Sequence, residues 1–162
     1  MLLAFALSPL LVVALGALLL MLAEVFSKVR TGLALGTAVV FFSGTVLSAA
    51  VWLYGLDAIP NLDALAPWLI VDRFSLFFDA LLCLGGGLAA LLAGGYLPEH
   101  KMERGEFYSL LLFATFGAMM LAASGDFLTL FLGLETMSIG AYAMTAFRRT
   151  SARSAEGALK YF

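Results

Sequence analysis

Five apolar stretches, each close to the length of a membrane crossing, dominate the 162-residue sequence and constrain what it can fold into. They cover about 2–23, 32–54, 74–96, 107–124 and 127–147. A helix needs about 20 mostly apolar residues to cross a hydrocarbon layer about 30 Å thick. No water reaches backbone N–H and C=O groups there, so a span of this kind has to be helical. The predicted fold class is all-α. It is a polytopic transmembrane bundle of five spans, with a sixth helix beginning near residue 154, in a single membrane domain over 1–162. Charge content agrees with this. Only 12% of residues are charged and 63% are apolar, whereas a soluble domain carries about 25% charge. A lipid bilayer is the predicted solvent, and no basic stretch points to nucleic acid.

The connections between spans set the topology. The first contains Lys28 and Arg30, the third Lys101 and Arg104, and the fifth Arg148, Arg149 and Arg153. The second and fourth hold none, apart from Arg73 at the lip of the third span. Lys and Arg favour the cytoplasmic side, so the N-terminus is predicted to lie outside. The opening Met-Leu-Leu-Ala-Phe has no basic region and is followed by no clear cleavage site, which predicts a retained span rather than a signal peptide. Gly125-Asp126 is so short a connection that the fourth and fifth spans must form an antiparallel hairpin, with Asp126 capping the fifth. Gly86, Ala90 and Gly94 on the third span, and Gly32 and Gly36 at the start of the second, form small-residue stripes suited to close helix contact.

The polar residues inside the spans are the candidates for chemistry. Glu135 lies near the middle of the fifth span, where an ionised acid costs about 2.5–3.5 kcal/mol. Helical spacing puts Ser138, Tyr142 and Thr145 on the same side, a possible polar pathway from mid-membrane to the cytoplasmic end. Proton handling by Glu135 is one reading, and a protonated carboxyl with a purely structural role is the other. Lys160, four residues after Glu156, is either half of a surface ion pair or an intramembrane cation. Asp79 is expected to reach back toward the interface near Arg73, and Glu24 to pair with Lys28. Cys83 stands alone in an apolar run, and His100 lies in a charged loop. No metal site, phosphate loop or Ser/His/Asp set is predicted, and no residue qualifies as a catalytic nucleophile.

Three stretches resemble a known family. They are Arg104-Gly-Glu-Phe-Tyr-Ser-Leu-Leu-Leu-Phe, Asp126-Phe-Leu-Thr-Leu-Phe-Leu-Gly-Leu-Glu135-Thr-Met-Ser138, and Ser154-Ala-Glu-Gly-Ala-Leu-Lys160-Tyr-Phe, supported by Val71-Asp72-Arg73-Phe74. Together they look like subunit N of bacterial NADH–quinone oxidoreductase (respiratory complex I), an antiporter-like membrane subunit. The resemblance implies proton translocation, with Glu135 and Lys160 as proton-transfer residues. It also implies other complex I membrane subunits as partners, and the bacterial inner (cytoplasmic) membrane as the location of a multi-pass chain. NADH, FMN, iron–sulfur clusters and quinone would belong to partner subunits, with no cofactor in this chain. Members commonly carry proline where this chain has Gly140. Their greater length, about fourteen helices, makes an N-terminal fragment the expectation. A multisubunit cation/proton antiporter subunit, or a structural and assembly element without a proton role, are the alternatives.

Overall fold

A computed structural model describes residues 2–26, 32–60, 62–100, 102, 105–148 and 151–162. The helices are α1 (Leu2–Ala6), α2 (Ser8–Phe26), α3 (Leu33–Tyr54), α4 (Arg73–Glu99), α5 (Glu106–Ala122), α6 (Phe127–Thr145) and α7 (Ala152–Tyr161). One-turn 3-10 segments, Leu56–Ala58 and Leu62–Ala64, lie between α3 and α4. Helices α2, α3, α4 and α6 are long and apolar enough to cross a membrane, and α5 is a shorter apolar helix of 17 residues.

The first predicted span is divided at Leu7. Pro9 has no N–H to offer the carbonyl of Phe5 and is tolerated only in the first turn of a new helix, where the structure places it, in α2. The other spans keep their order and shift at their ends. α4 opens on a capping box, in which the Asp72 carboxylate accepts the Ser75 N–H at 2.8 Å and the Ser75 hydroxyl accepts the Asp72 N–H at 3.0 Å. α5 ends at Ala122, where the Ala123 N–H still bonds back to Met119 but the next backbone groups turn to the second connection. The Ile70 N–H donates to the Ala123 carbonyl at 2.7 Å, and the Gly125 N–H donates to the Trp68 carbonyl at 2.8 Å. These bonds tie the long second connection to the short fourth one, at the end of the bundle that also carries Asp72 and Asp126. Arg148, Arg153 and His100 lie at the helix ends opposite. Lys28, Arg30, Lys101, Arg104 and Arg149 lie outside the described residues.

The core is where α2, α3, α4 and α5 meet, built on Val13, Ala17, Phe41, Cys83, Ala90, Leu112 and Met119. Small residues set the spacing. A Cβ on Gly86 would stand 2.7 Å from the Phe41 ring, and one on Gly94 would stand 2.6 Å from the Ala34 methyl, so the predicted α4 stripe does face α3. The second predicted stripe does not pack. Nothing lies within 4 Å of a Cβ at Gly32 or Gly36, and Gly32 instead holds the left-handed φ of 95° that leads into α3.

The tightest approach is between α5 and α6. A Cβ on Gly117 would collide with the Met137 backbone nitrogen, and one on Gly133 would meet the Leu121 nitrogen at 2.8 Å. Gly140 sits over Ala114 in the same seam, and α6 runs unbroken through it. Because the obstacles are backbone atoms, no rotamer change can relieve them. Gly117→Leu is therefore expected to lower stability by at least the ~1–3 kcal/mol of an overpacked core. Gly36→Ala, in open space on a helix, should raise it by up to ~1 kcal/mol. Thermal unfolding of the detergent-solubilised chain measures both, and equal effects would contradict the assigned seam.

Asp126 caps α6 as predicted, accepting the Thr129 N–H at 2.8 Å. Hydrogen bonding from the Thr129 side chain and then its backbone holds the Asp126 carboxyl below its usual range. A folded-state value lowered in this way gives stability above the ordinary Asp pKa of about 3.9, lost as pH falls through the lowered value. Asp126→Asn keeps the acceptor without the titration. The stability advantage of the wild type over that variant should therefore shrink on acidification below about pH 4, and an advantage independent of pH would disprove the assignment.

Candidate functional site

Thr129, Gly133 and Gly140 form the buried face of α6, the one glued to α5. Two positions beyond Gly133 a helix has turned about 200°, so Glu135 points away from α5, and it is exposed. Ser138 and Tyr142 are half-buried and Thr145 is exposed, following Glu135 toward the basic end. The Thr136 and Thr145 hydroxyls donate back to the carbonyls of Leu132 and Ala141, at 2.7 and 2.8 Å. The Glu135 carboxylate has no hydrogen bond or ion pair among the described residues.

α7 docks on the last turns of α6. Ser151 caps it, accepting the Ser154 N–H at 3.3 Å, and the Ser154 hydroxyl donates to the Thr145 carbonyl at 2.7 Å. Tyr142 meets Tyr161 and Phe162 edge to face, with ring centroids 5.1 and 5.3 Å apart. Tyr142 is thus a packing platform for the end of α7 as well as a member of the polar stripe. Lys160 forms the predicted pair with Glu156, Nζ to Oε1 at 2.6 Å, with side chains 75% and 64% exposed. The described residues place no contact between Lys160 and Glu135. Tyr142 stands about 10 Å of helix rise beyond Glu135, and it is at this level that α7 reaches α6.

Asp79 departs from expectation. It does not reach back to Arg73, whose guanidinium lies over the Trp52 ring at 6.0 Å. Asp79 is 3% exposed, and its Oδ1 has no hydrogen-bond partner. Most other buried hydroxyls solve the same problem locally, although those of Ser8 and Ser109 do not. Thr37, Ser48 and Thr115 donate to the carbonyls of Leu33, Gly44 and Leu111 at 2.8–2.9 Å. A carboxylate has no proton to donate back, and the helix has already used its N–H groups. The signal was available in the spacing, since Asp79 precedes Gly86 by two turns and so shares the face of the α4 stripe. An apolar replacement of similar size removes the orphaned group. Asp79→Val should therefore unfold within ~1 kcal/mol of the wild type or be more stable by about 1–3 kcal/mol. A clear loss of stability would mean that the carboxyl makes a stabilising contact.

Cys83 is buried, its Sγ 3.9 Å from Met119 Sδ. His100 is exposed and stacks on Tyr96, with centroids 4.0 Å apart. Glu24 packs its carboxyl carbon against Gly105, and its predicted partner Lys28 lies outside the described residues. Among the described residues no group of three or more His, Cys, Asp or Glu could hold a metal ion.

An all-α apolar bundle with one acid on an unpartnered, polar-striped helix face narrows the comparison with known proteins. The chain is 59% identical, over 97% of its length, to NADH-quinone oxidoreductase subunit N 1 of Sorangium cellulosum. It is homologous to the N subunits of NADH-quinone oxidoreductases. The subunit N of Myxococcus xanthus is 35% identical over 95% of the chain, and that of a Geobacillus strain is 49% identical over 56% of it. The chain spans about a third of the length of these fuller matches, 33% of the Sorangium protein and 29% of the Myxococcus one. No protein-family model matches it. Homology to subunit N together with the apolar helices makes this a multi-pass membrane protein related to a respiratory complex I subunit.

Proposed function

We propose that this chain acts as part of a proton-translocating membrane subunit of NADH–quinone oxidoreductase, in which Glu135 loads and releases a proton. The observation that carries the proposal is the position of that acid. It stands mid-helix on the face of α6 that α5 leaves free, in a chain 59% identical to a subunit N. A carboxyl facing hydrocarbon is costly, and intramembrane acids mark ion pathways. The relatives are about three times as long, and in a chain of that length further helices would cover this face and supply a cation to Glu135.

In this proposal the polar stripe Ser138, Tyr142 and Thr145 leads from Glu135 toward the basic end of the bundle. Lys160 is a proton-transfer residue whose exchange of Glu156 for another partner changes the field along α6. The basic end faces the cytoplasm of a bacterial inner membrane and the N-terminus faces out, by the Lys and Arg bias of the connections. NADH, FMN, iron–sulfur and quinone chemistry falls to partner subunits. Their redox energy would bias the Glu135 carboxyl between its protonated and ionised states, as an effector biases any two-state element. This chain contributes proton positioning and no electron transfer.

The test is Glu135→Gln in the full-length subunit, within the assembled complex in vesicles. Fewer protons moved per NADH oxidised, with normal assembly, is the expected result. Unchanged pumping and an unchanged oxidoreductase rate would refute the proton role. Loss of assembly alone, with normal pumping by the complexes that form, would make Glu135 structural.

A further inference from the structure

The basic end of the bundle holds a cavity of about 420 Å³ that Glu135 and Lys160 do not line. It opens between the last turns of α4, the end of α6 and the first turn of α7. Arg148 and Arg153 line it, together with Ser151, and Tyr96, Leu97 and Phe147 form an apolar and aromatic wall. No carboxylate is among its described lining residues. Both arginines are exposed, and neither has an ion-pair partner among the described residues, where Lys160–Glu156 is the pair seen. Two exposed arginines lining one opening, with no carboxylate among its described lining residues, leave a local positive charge that no described residue neutralises.

From this we infer that the cavity binds the phosphodiester headgroup of an anionic phospholipid. Guanidinium forks match phosphate oxygens two at a time. The Ser151 hydroxyl accepts from Ser154 N–H and retains its own proton to donate. The backbone N–H groups of Ala152 and Arg153, at the start of α7, have no acceptor among the described residues and add donors on the same side. The apolar wall decides between sources of the phosphate. A free inorganic ion gains nothing from Leu97, Phe147 and the Tyr96 ring. A diacyl lipid lays its glycerol and first methylenes along them while its phosphate meets the arginines. The cavity lies at the ends of apolar helices, the level where aromatic rings and lipid headgroups share an interface. Basic pockets between membrane helices on that side take anionic headgroups. A zwitterionic lipid brings its own ammonium against the two arginines and is disfavoured.

Native mass spectrometry of the full chain in mild detergent tests this, with phosphatidylglycerol and phosphatidylcholine titrated separately. Phosphatidylglycerol should be retained at one per chain in clear preference to phosphatidylcholine. The Arg148→Gln/Arg153→Gln double variant should bind it roughly 30-fold more weakly, at about 1 kcal/mol per arginine, with phosphatidylcholine binding unchanged. Arg73→Gln removes the same charge from the opposite end and should leave the preference intact. Equal retention of the two lipids, or an equal loss in Arg73→Gln, would overturn the site. Displacement of phosphatidylglycerol by millimolar inorganic phosphate would make it a free-anion site and overturn the lipid assignment. Circular dichroism of each variant confirms that helix content is retained, and Arg148→Lys/Arg153→Lys, which keeps the charge, should keep most of the preference if the double glutamine variant misfolds.

Discussion

Hydrocarbon offers a polypeptide no hydrogen bonds, and the arrangement of this chain follows from that. Each backbone N–H and C=O within a span has to be paired inside its own helix, so the unpaired groups collect at helix ends. The sequence supplies a solution at those ends: a carboxylate cap before α4, another before α6, and a serine cap before α7. The connection between α3 and α4 finds its partners in the turn between α5 and α6, and two backbone bonds fasten that end of the bundle. The hydroxyls of Thr37, Ser48 and Thr115 obey the same rule by bonding carbonyls one turn back, whereas those of Ser8 and Ser109 are buried without a partner. Asp79 is the one buried side chain among the described carboxylates that has no such escape, which makes its place in the core conspicuous.

Once each helix is self-satisfied, apolar side chains gain little by leaving lipid for protein, and association rests on close contact. The glycine seam between α5 and α6 brings backbones together at distances that no side chain could share. This seam orients the functional face. Because Gly133 and Gly140 hold α6 against α5, Glu135 and the stripe toward Thr145 turn outward, and α7 is met only at the last turns through Tyr142. The acid is thus carried on a rigidly held helix with its own face left free, an arrangement suited to a group that must respond to what packs against it.

The two polar regions at the α6–α7 junction divide the work. Glu135 and its stripe face across the bundle's side, while Arg148 and Arg153 gather around an opening at its basic end. The first suits a proton whose affinity is set by neighbours. The second suits a fixed anion that anchors the junction in the headgroup layer.

The order and approximate limits of the apolar helices could be read from hydropathy, since a membrane crossing is a property of a local run of residues. So could the cap at Asp126, the Glu156–Lys160 spacing and the acid at Glu135, each a matter of spacing within one helix. The division at Leu7 was also local, in Pro9, but the single long apolar run obscured it. What a linear pattern could not reveal was which glycines touch another backbone: Gly36 and Gly133 look equally suited, and only the placement of neighbouring helices separates open space from a seam. Asp79 shows the same limit, because a span position is compatible with facing lipid, interface or core, and the direction is set by what packs around it. The cavity between Tyr96, Arg148 and Arg153 joins residues from separate helices, and it exists only because α4 and α6 end where α7 begins.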